Sequence, residues 1–383
     1  MPEPFAIVIG AGPAGLAVGA CLSRTNVPFM ILEKGQTVAA SWRRHYDRLH
    51  LHTNKGSSAL PFMPFPKSCP RYPSRDQVVA YAESYARTFK LDPRFNEDVV
   101  SARRSNGQWR VQTGTTTYDA PHVVVATGLS REPIVPQWPG QDSYRGSIVH
   151  SRDYRNGSEY TGARVLVVGI GNSGAEIALD LHERGAQPTI AVRGPVNVLP
   201  RDIFGVPVVV TARVAGLLPP PVADTINAQL LRVLLGNLRP FGLQPPPYGP
   251  LTQIARTGRI PLIDVGTIAL IRTGQIPIRP GIDHFVENGV VFNDGRREAF
   301  GTVILATGYR AGLDSLLDVD GLLDEQGNPR RDVLSLPDGL HLCGFMVVAN
   351  GLLNRIGREA RRIAAEIARS FSVSTRAHDR QTR

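Results

Sequence analysis

One six-residue device occurs twice in this chain, as "GAGPAG" from Gly10 and "GIGNSG" from Gly169. Each follows a short continuous apolar run, "FAIVI" or "RVLVV", and each opens a stretch with small and apolar residues at helical spacing, "LAVGACLSR" or "AEIALDLHER". An unbroken apolar run ending in glycine is the pattern of a parallel strand buried on both faces, and GxGxxG between such a strand and a helix is a dinucleotide-binding fingerprint. The first glycine permits the tight turn, the second lets a pyrophosphate approach the backbone, and the third lets helix and strand pack closely. The anion then sits at a helix N-terminus, where free N–H groups and the helix dipole favour negative charge. Gly10, Ala11, Gly12, Pro13, Ala14 and Gly15 are the candidate phosphate-binding residues of one site, and Gly169, Ile170, Gly171, Asn172, Ser173 and Gly174 those of a second. The expected fold is α/β, with two Rossmann-type domains.

The two sites differ in charge. The strand after the first turn, "PFMILEK", ends at Glu33 and Lys34, where a carboxylate can accept the hydroxyls of a free ribose. The strand after the second turn, "PTIAVR", ends at Arg193. A guanidinium there can pair with a 2'-phosphate through a charge-assisted fork, so the second site is expected to prefer NADPH to NADH. Two such sites without a metal or thiol centre suit hydride transfer from a nicotinamide to a flavin, so FAD and NADPH are the expected cofactors.

Two more apolar strands end in small residues, "HVVVATG" at Ala126, Thr127 and Gly128, and "TVILATGY" at Ala306, Thr307 and Gly308. Both are expected to approach the flavin, and to mark where the chain leaves and re-enters the first domain. The expected division is residues 1–150 and 302–383 for the FAD domain and 151–301 for the NADPH domain. Within the latter, "LPPP" and "QPPP" bracket a helical insertion at about 195–261.

Composition narrows the function classes. A hydrophobic fraction of 42% with 20% charged residues is that of a globular protein with ordinary cores. The net charge of +10 rests almost wholly on arginines scattered in ones and twos, apart from a group around Arg355, Arg358, Arg361 and Arg362. That scatter is a solvated basic surface, and no nucleic-acid partner is expected. Cys21, Cys69 and Cys343 stand far apart with no CxxC, which suggests neither a disulfide framework nor a zinc site and fits a reducing, cytoplasmic compartment. The N-terminus enters a strand at once and lacks the form of a signal peptide. The apolar stretch from Ile203 is interrupted by Pro207 and Arg213, so it is too short to span a bilayer. It suits a channel wall, a surface-lying segment or plain core packing.

Between the two sites lies "YRGSIVHSRDY". Its spacing, Tyr144-x-Gly146-x-x-x-His150-x-x-x-Tyr154, resembles the FxGxxxHxxx(Y/F) fingerprint of the flavin-containing monooxygenases, with tyrosine in place of the first phenylalanine. The order of the glycine turns and "LATGY" at Leu305 is also that family's. "YDRLHLH" from Tyr46, "LPRDIFG" from Leu199 and "GRIPLIDVGTI" from Gly258 are similar to the YUCCA-type members, which convert indole-3-pyruvate to indole-3-acetate. The tail "GFMVVANGLLNRIG" from Gly344 is longer and more apolar than theirs, and "TNKGSSALPF" from Thr53 is closer to the general family.

This resemblance implies that NADPH reduces FAD, which traps O2 as a C4a-(hydro)peroxide that oxygenates a small organic substrate. A 2-oxo acid is the first choice of substrate, and N- or S-oxygenation of an amine or sulfide is the alternative. An NADPH–FAD reductase for a protein partner and a non-catalytic binding protein are the rivals from other classes. It also implies that Asn54 is the active-site asparagine, that Trp42, His52 and Thr53 form the flavin wall, and that Val99 lies beside the adenine. His150 is expected to pin a bend where the chain crosses between domains rather than to act as an acid or base.

Overall fold

The computed structural model describes residues 3–324, 327–330 and 336–381. Two five-stranded parallel sheets organise it. In the first, strand Ala6–Ile9 is central, with Phe29–Glu33 on one side and His122–Val125 on the other, while Arg94–Phe95 and Leu340–Leu342 form the edges. In the second, Arg164–Val168 is central between Gln187–Ala191 and Thr302–Leu305, with Ile278–Arg279 and Ser147–His150 at the edges. Both central strands are apolar runs covered on both faces, which is why they carry no alternation.

Each sheet is followed by its own helix. Pro13–Ser23 buries Ala14 to Leu22, and Pro13 costs nothing because the N–H it lacks has no helical partner at that position. Asn172–Glu183 buries Gly174 to Leu181. The C-terminal helix Leu352–Gln381 lies against Pro13–Ser23 and buries Ile356, Ala360, Ile363, Ala364 and Ile367, a three-and-four spacing that makes one apolar stripe. A three-stranded antiparallel sheet precedes the last central neighbour in each unit, at 99–120 in the first and 282–299 in the second.

The domain division differs from the expected one. Thr302–Leu305 does not return the chain to the first domain, because it pairs in parallel with Arg164–Val168 and completes the second sheet. Ser147–His150 joins the same sheet, so residues on both sides of the expected boundaries belong to the second unit. The crossing itself is a two-stranded ribbon, Glu132–Pro133 antiparallel to Tyr309–Arg310. An antiparallel pair allows both connections to leave and return at one place. The equal apolar character of all four central-neighbour strands is what hid this assignment, since periodicity cannot say which sheet a buried strand joins.

The stretch 144–154 is therefore the edge of the second domain and not the bend between domains. Tyr144 Oη donates to the Phe300 carbonyl at 2.8 Å. Gly146 has no room for a side chain, because a Cβ there would overlap the Tyr144 hydroxyl and the Gly301 carbonyl oxygen. His150 is buried with its ring edge-on to Tyr309, and its Nδ1 accepts the Arg152 N–H at 3.1 Å. Burial lowers its pKa, partly opposed by the Gly308 backbone, which suits a neutral positioning ring.

Tyr154 Oη donates at 2.6 Å to Asp180 Oδ2, which also accepts the Gly157 N–H at 2.7 Å. Both oxygens of this buried carboxylate are engaged, since Arg184 Nε donates to Oδ1 at 3.2 Å. A hydrogen bond to a charged group stabilises by about 1.5–3 kcal/mol. Tyr154→Phe should accordingly lower the stability of the chain by about 1.5–3 kcal/mol in denaturant unfolding, with little change in the m-value.

Candidate active site

The two glycine turns have nearly the same backbone. Gly10 and Gly169 take φ of +109° and +106°, which residues with a Cβ rarely adopt. A Cβ at Gly10 would lie 2.7 Å from the Ala126 carbonyl oxygen, and one at Gly169 would lie 2.6 Å from that of Ala306. At Gly15 and Gly174 it would overlap the carbonyl oxygens of Gly10 and Gly169. Gly12 and Gly171 are different, since a Cβ at either meets nothing within 4 Å. Contacts within the chain explain the first and third glycines of each turn, and close approach of a ligand is what remains to explain the second.

These contacts also assign the two small-residue strand ends. Ala126, Thr127 and Gly128 lie beside the first turn, but Ala306, Thr307 and Gly308 lie beside the second, which corrects the expectation that both approach the flavin. Thr307 is further tied by its hydroxyl to the Ile134 carbonyl at 2.5 Å, at the ribbon between domains. Thr127 Oγ1, by contrast, is buried with no hydrogen-bond partner among the described residues, a donor left beside the first turn.

Glu33 is buried at the end of its strand, with Oε2 accepting the Ala11 N–H at 2.7 Å and Oε1 accepting the Gly35 N–H at 2.8 Å. A carboxylate has about four acceptor sites, so two remain for ribose hydroxyls. Lys34 is exposed, whereas Val99 is buried in the core behind the strand ends, close to the Glu97 N–H that bonds the Glu33 carbonyl at 2.9 Å. At the second site the strand stops at Ala191, and Arg193 stands exposed two residues on. Arg279, on the neighbouring strand, is paired with Glu298.

Residues 43–52 of the first domain carry the seam to the second. His52 Nε2 lies 2.9 Å from Oε1 of the buried Glu176, on the helix that follows the second turn. Tyr46 is buried between Ser173 and Glu176, and burial first, then the Glu176 charge, hold its pKa well above the usual value, so it stays a neutral donor. Arg48 pairs with Glu183, and Asn156 Nδ2 donates to Asp47 Oδ2 at 2.8 Å. Tyr46 and Glu176 were not among the residues singled out from the sequence, and only their contact across the seam reveals them.

An apolar cavity of about 320 Å³ opens at this seam, within the range of ~300–1,000 Å³ usual for small-molecule sites. His52 and Thr53 line it from the first domain, Asn172 from the second turn, and Val348, Ala349 and Gly351 from the segment leading into the C-terminal helix. The remaining wall is the proline-bracketed insertion, through Leu199, Val208, Val209, Leu230, Ile254 and Ile263 among others. Asn172 Oδ1 accepts the Ile263 N–H at 2.7 Å and so fixes the insertion to the glycine turn. A larger hollow of about 970 Å³ lies between helix Pro220–Leu235 and Pro245–Pro247, but it touches neither turn. Of the two, only the smaller cavity reaches a dinucleotide turn, through Asn172, and it is the candidate reaction chamber.

Comparison with known proteins agrees with this geometry. Residues 7–201 match a family model described as pyridine nucleotide-disulphide oxidoreductase. The indole-3-pyruvate monooxygenase YUCCA1 of Oryza sativa subsp. japonica is 42% identical over 330 residues, covering 85% of this chain and 81% of that protein. The probable indole-3-pyruvate monooxygenase YUCCA3 of Arabidopsis thaliana is 39% identical, covering 93% and 88%. Among solved structures, a mutant flavin monooxygenase from Stenotrophomonas maltophilia superposes with a TM-score of 0.75 at 25% identity, over 97% of this chain and 99% of that one. A steroid monooxygenase bound to NADP shares the fold, with a TM-score of 0.75 at 19% identity over 97% and 86%.

The chain belongs to the YUCCA family of flavin monooxygenases. It is an FAD- and NADPH-dependent enzyme, and the open faces of Gly12 and Gly171, the unpartnered Thr127 hydroxyl and the unlike charges of Glu33 and Arg193 fit those two groups. The match to a disulphide-oxidoreductase model reflects the shared fold, since this YUCCA-family chain has no paired thiols: Cys21 and Cys343 are buried, and burial pushes the Cys21 thiol up to about 11.

The residues assigned by family resemblance fall in different surroundings. His52 and Thr53 reach the cavity. Asn54 does not line it; its Oδ1 accepts the Ser57 N–H at 3.2 Å and caps the short helix Lys55–Ser58. Trp42 packs against the first core, edge-on to His45 at 5.9 Å.

The glycine geometry separates binding from folding. Gly12 has φ −78° and ψ −176°, which alanine adopts freely. Gly12→Ala should fold with the melting temperature of the flavin-stripped wild type and purify with most of its flavin absorbance lost. Gly15→Ala should fail to give folded protein, because its methyl overlaps backbone. Full flavin in the Gly12→Ala protein would remove the first turn from the FAD site.

Proposed function

We propose that this enzyme catalyses the oxidative decarboxylation of a 2-oxo acid of the indole-3-pyruvate type to the acid one carbon shorter, here indole-3-acetate. The overall change balances as 2-oxo acid, O2, NADPH and a proton giving the shorter acid, CO2, NADP+ and water. The observation that carries the reading is the cavity at the domain seam beside the second turn, whose wall is mostly aliphatic with polar groups confined to His52, Thr53, Asn172, Thr211, Asp224 and Asn227. An aromatic ring suits the aliphatic part and a short polar tail suits the end at His52 and Thr53. The names of the relatives support the same substrate.

FAD, reduced by NADPH, supplies the oxygen-activating chemistry when bound. The chain's own residues bind, orient and exclude water. Gly10 to Gly15 and Glu33 would hold the pyrophosphate and ribose of FAD, with Ala126 to Gly128 closing the turn, and Gly169 to Gly174 with Arg193 would hold NADPH, Ala306 to Gly308 taking the matching place. His52 and Thr53 would face the flavin side of the chamber, while Asn54 would set the loop that presents them. Aliphatic residues of the insertion would keep water out.

Turnover with indole-3-pyruvate under 18O2 should place one labelled oxygen atom in indole-3-acetate and release CO2 in step with NADPH oxidation. Oxygenation of a thioether or amine with indole-3-pyruvate untouched would favour the N- or S-oxygenase reading. NADPH oxidation with no labelled organic product from any of these substrates would favour a reductase. Arg193→Ala should lower kcat/KM for NADPH by roughly 10- to 150-fold, the equivalent of ~1.5–3 kcal/mol for a hydrogen bond to a charged group, and leave NADH nearly unchanged.

A further inference from the structure

Thirteen large hydrophobic side chains are exposed among the described residues, and nine of them fall between Phe204 and Ile260. Phe204 forms the tip of the hairpin Asp202–Ile203/Val206–Pro207 and is 81% exposed. Leu217, 84% exposed, and Val214 project from the corner joining helices Val208–Ala215 and Pro220–Leu235. On the second helix Val222, Ile226 and Val233 share one outer stripe, while Leu230 beside that stripe and Leu231 further round the helix line the reaction chamber. The apolar surface of this helix is therefore broader than the part the chain covers.

The charge of the same segment is one-sided. Residues 195–261 contain six arginines, no lysine, no glutamate and two aspartates. Neither aspartate is free, since Asp202 accepts from Tyr72 Oη at 2.7 Å and pairs with Arg71, and buried Asp224 accepts the Leu251 and Thr252 N–H groups at 3.0 and 2.8 Å. Arg213 and Arg232 stand exposed beside the apolar tips. A second copy docked on this face would bring arginines together with no carboxylate from the segment to pair them, which disfavours self-association. No helix among the described residues is long and apolar enough to cross a membrane.

We propose that this face is a peripheral docking surface for an anionic lipid bilayer, with Phe204, Val214 and Leu217 entering the headgroup layer and the arginines meeting lipid phosphates. Protruding apolar tips among basic residues are the features of interfacial attachment, and each basic residue near an anionic leaflet adds about 1 kcal/mol. The argument rests on the surface alone and is independent of the substrate reading. The same helices wall the chamber, so attachment would place an apolar compound's lipid reservoir next to the cavity.

Flotation of the flavin-loaded full chain with vesicles tests this. Binding is expected to vesicles of phosphatidylcholine with phosphatidylglycerol, to be much weaker with phosphatidylcholine alone, and to fall as salt is raised. A Phe204→Ser, Leu217→Ser, Val233→Ser variant should bind at least about tenfold more weakly, from the apolar transfer energy lost, with unchanged flavin content and turnover in solution. Absence of flotation, or equal binding by the variant, would overturn the proposal. So would a wild-type dimer in size-exclusion chromatography that the variant converts to monomer, since the face would then be a self-interface.

Discussion

Everything in this molecule depends on how closely two backbones can approach at the end of a parallel strand. Gly10 lies against the Ala126 carbonyl and Gly15 against Gly10, and the second domain repeats the arrangement with Gly169, Ala306 and Gly174. Close approach brings the following helix down onto the strand end, so its free N–H groups open on the strand's C-terminal side. The same packing buries Ala14 to Leu22 and Gly174 to Leu181, the helix faces around which the two domains are built. The candidate cofactor site and a close packing contact of the core are thus one structure, and the middle glycine of each turn is the place where the two roles separate.

Two such domains become one enzyme through their seam. The ribbon Glu132–Pro133 with Tyr309–Arg310 fixes where the chain crosses, but a two-stranded ribbon does not by itself fix an angle. The angle is set by residues 43–52 lying on the helix Asn172–Glu183, through His52 and Tyr46 at Glu176 and Arg48 at Glu183. Glu176 is nearly fully buried beside the Tyr46 side chain, and its Oε1, 2.9 Å from His52 Nε2, has no hydrogen-bond partner of good geometry among the described residues. The cavity lies beside this contact, with His52 belonging to both. One imidazole thus stands both at the contact between the domains and in the wall of the cavity.

The sequence made the turns, Glu33 and the charge contrast with Arg193 legible, because each rests on local spacing along a strand–turn–helix unit. It misassigned Thr302–Leu305 and Ala306–Gly308, because a buried parallel strand looks the same in either sheet and its neighbours are chosen by tertiary packing. The stretch around His150 was read as a bend from its glycine, yet Gly146 is demanded by the Tyr144 ring and the Gly301 carbonyl, both of which are visible only once the edge strand is in place. Tyr46 and Glu176 stand within "YDRLHLH" and "AEIALDLHER", but nothing in either stretch points to the other, which lies 130 positions away. Asn54, named from family resemblance, caps the helix Lys55–Ser58 through its Oδ1, a role that the local spacing does not announce.

The insertion completes the argument because its two apolar surfaces answer different needs. Its inner face closes a chamber that must exclude water, and Leu199, Val208, Val209 and Leu230 do so as any core would. Packing of that kind needs no exposed Phe204 or Leu217, and burial of the inner face gives no reason for the outer one to be apolar. Exposed residues of this size are elsewhere scattered, as at Phe62, Val100, Val135 and Val373, where they need no explanation. Concentrated on one arginine-bearing segment whose aspartates are both engaged internally, they form a surface selected by something outside the chain. The helices that shape the cavity are also those that carry this surface, so the two are parts of one element.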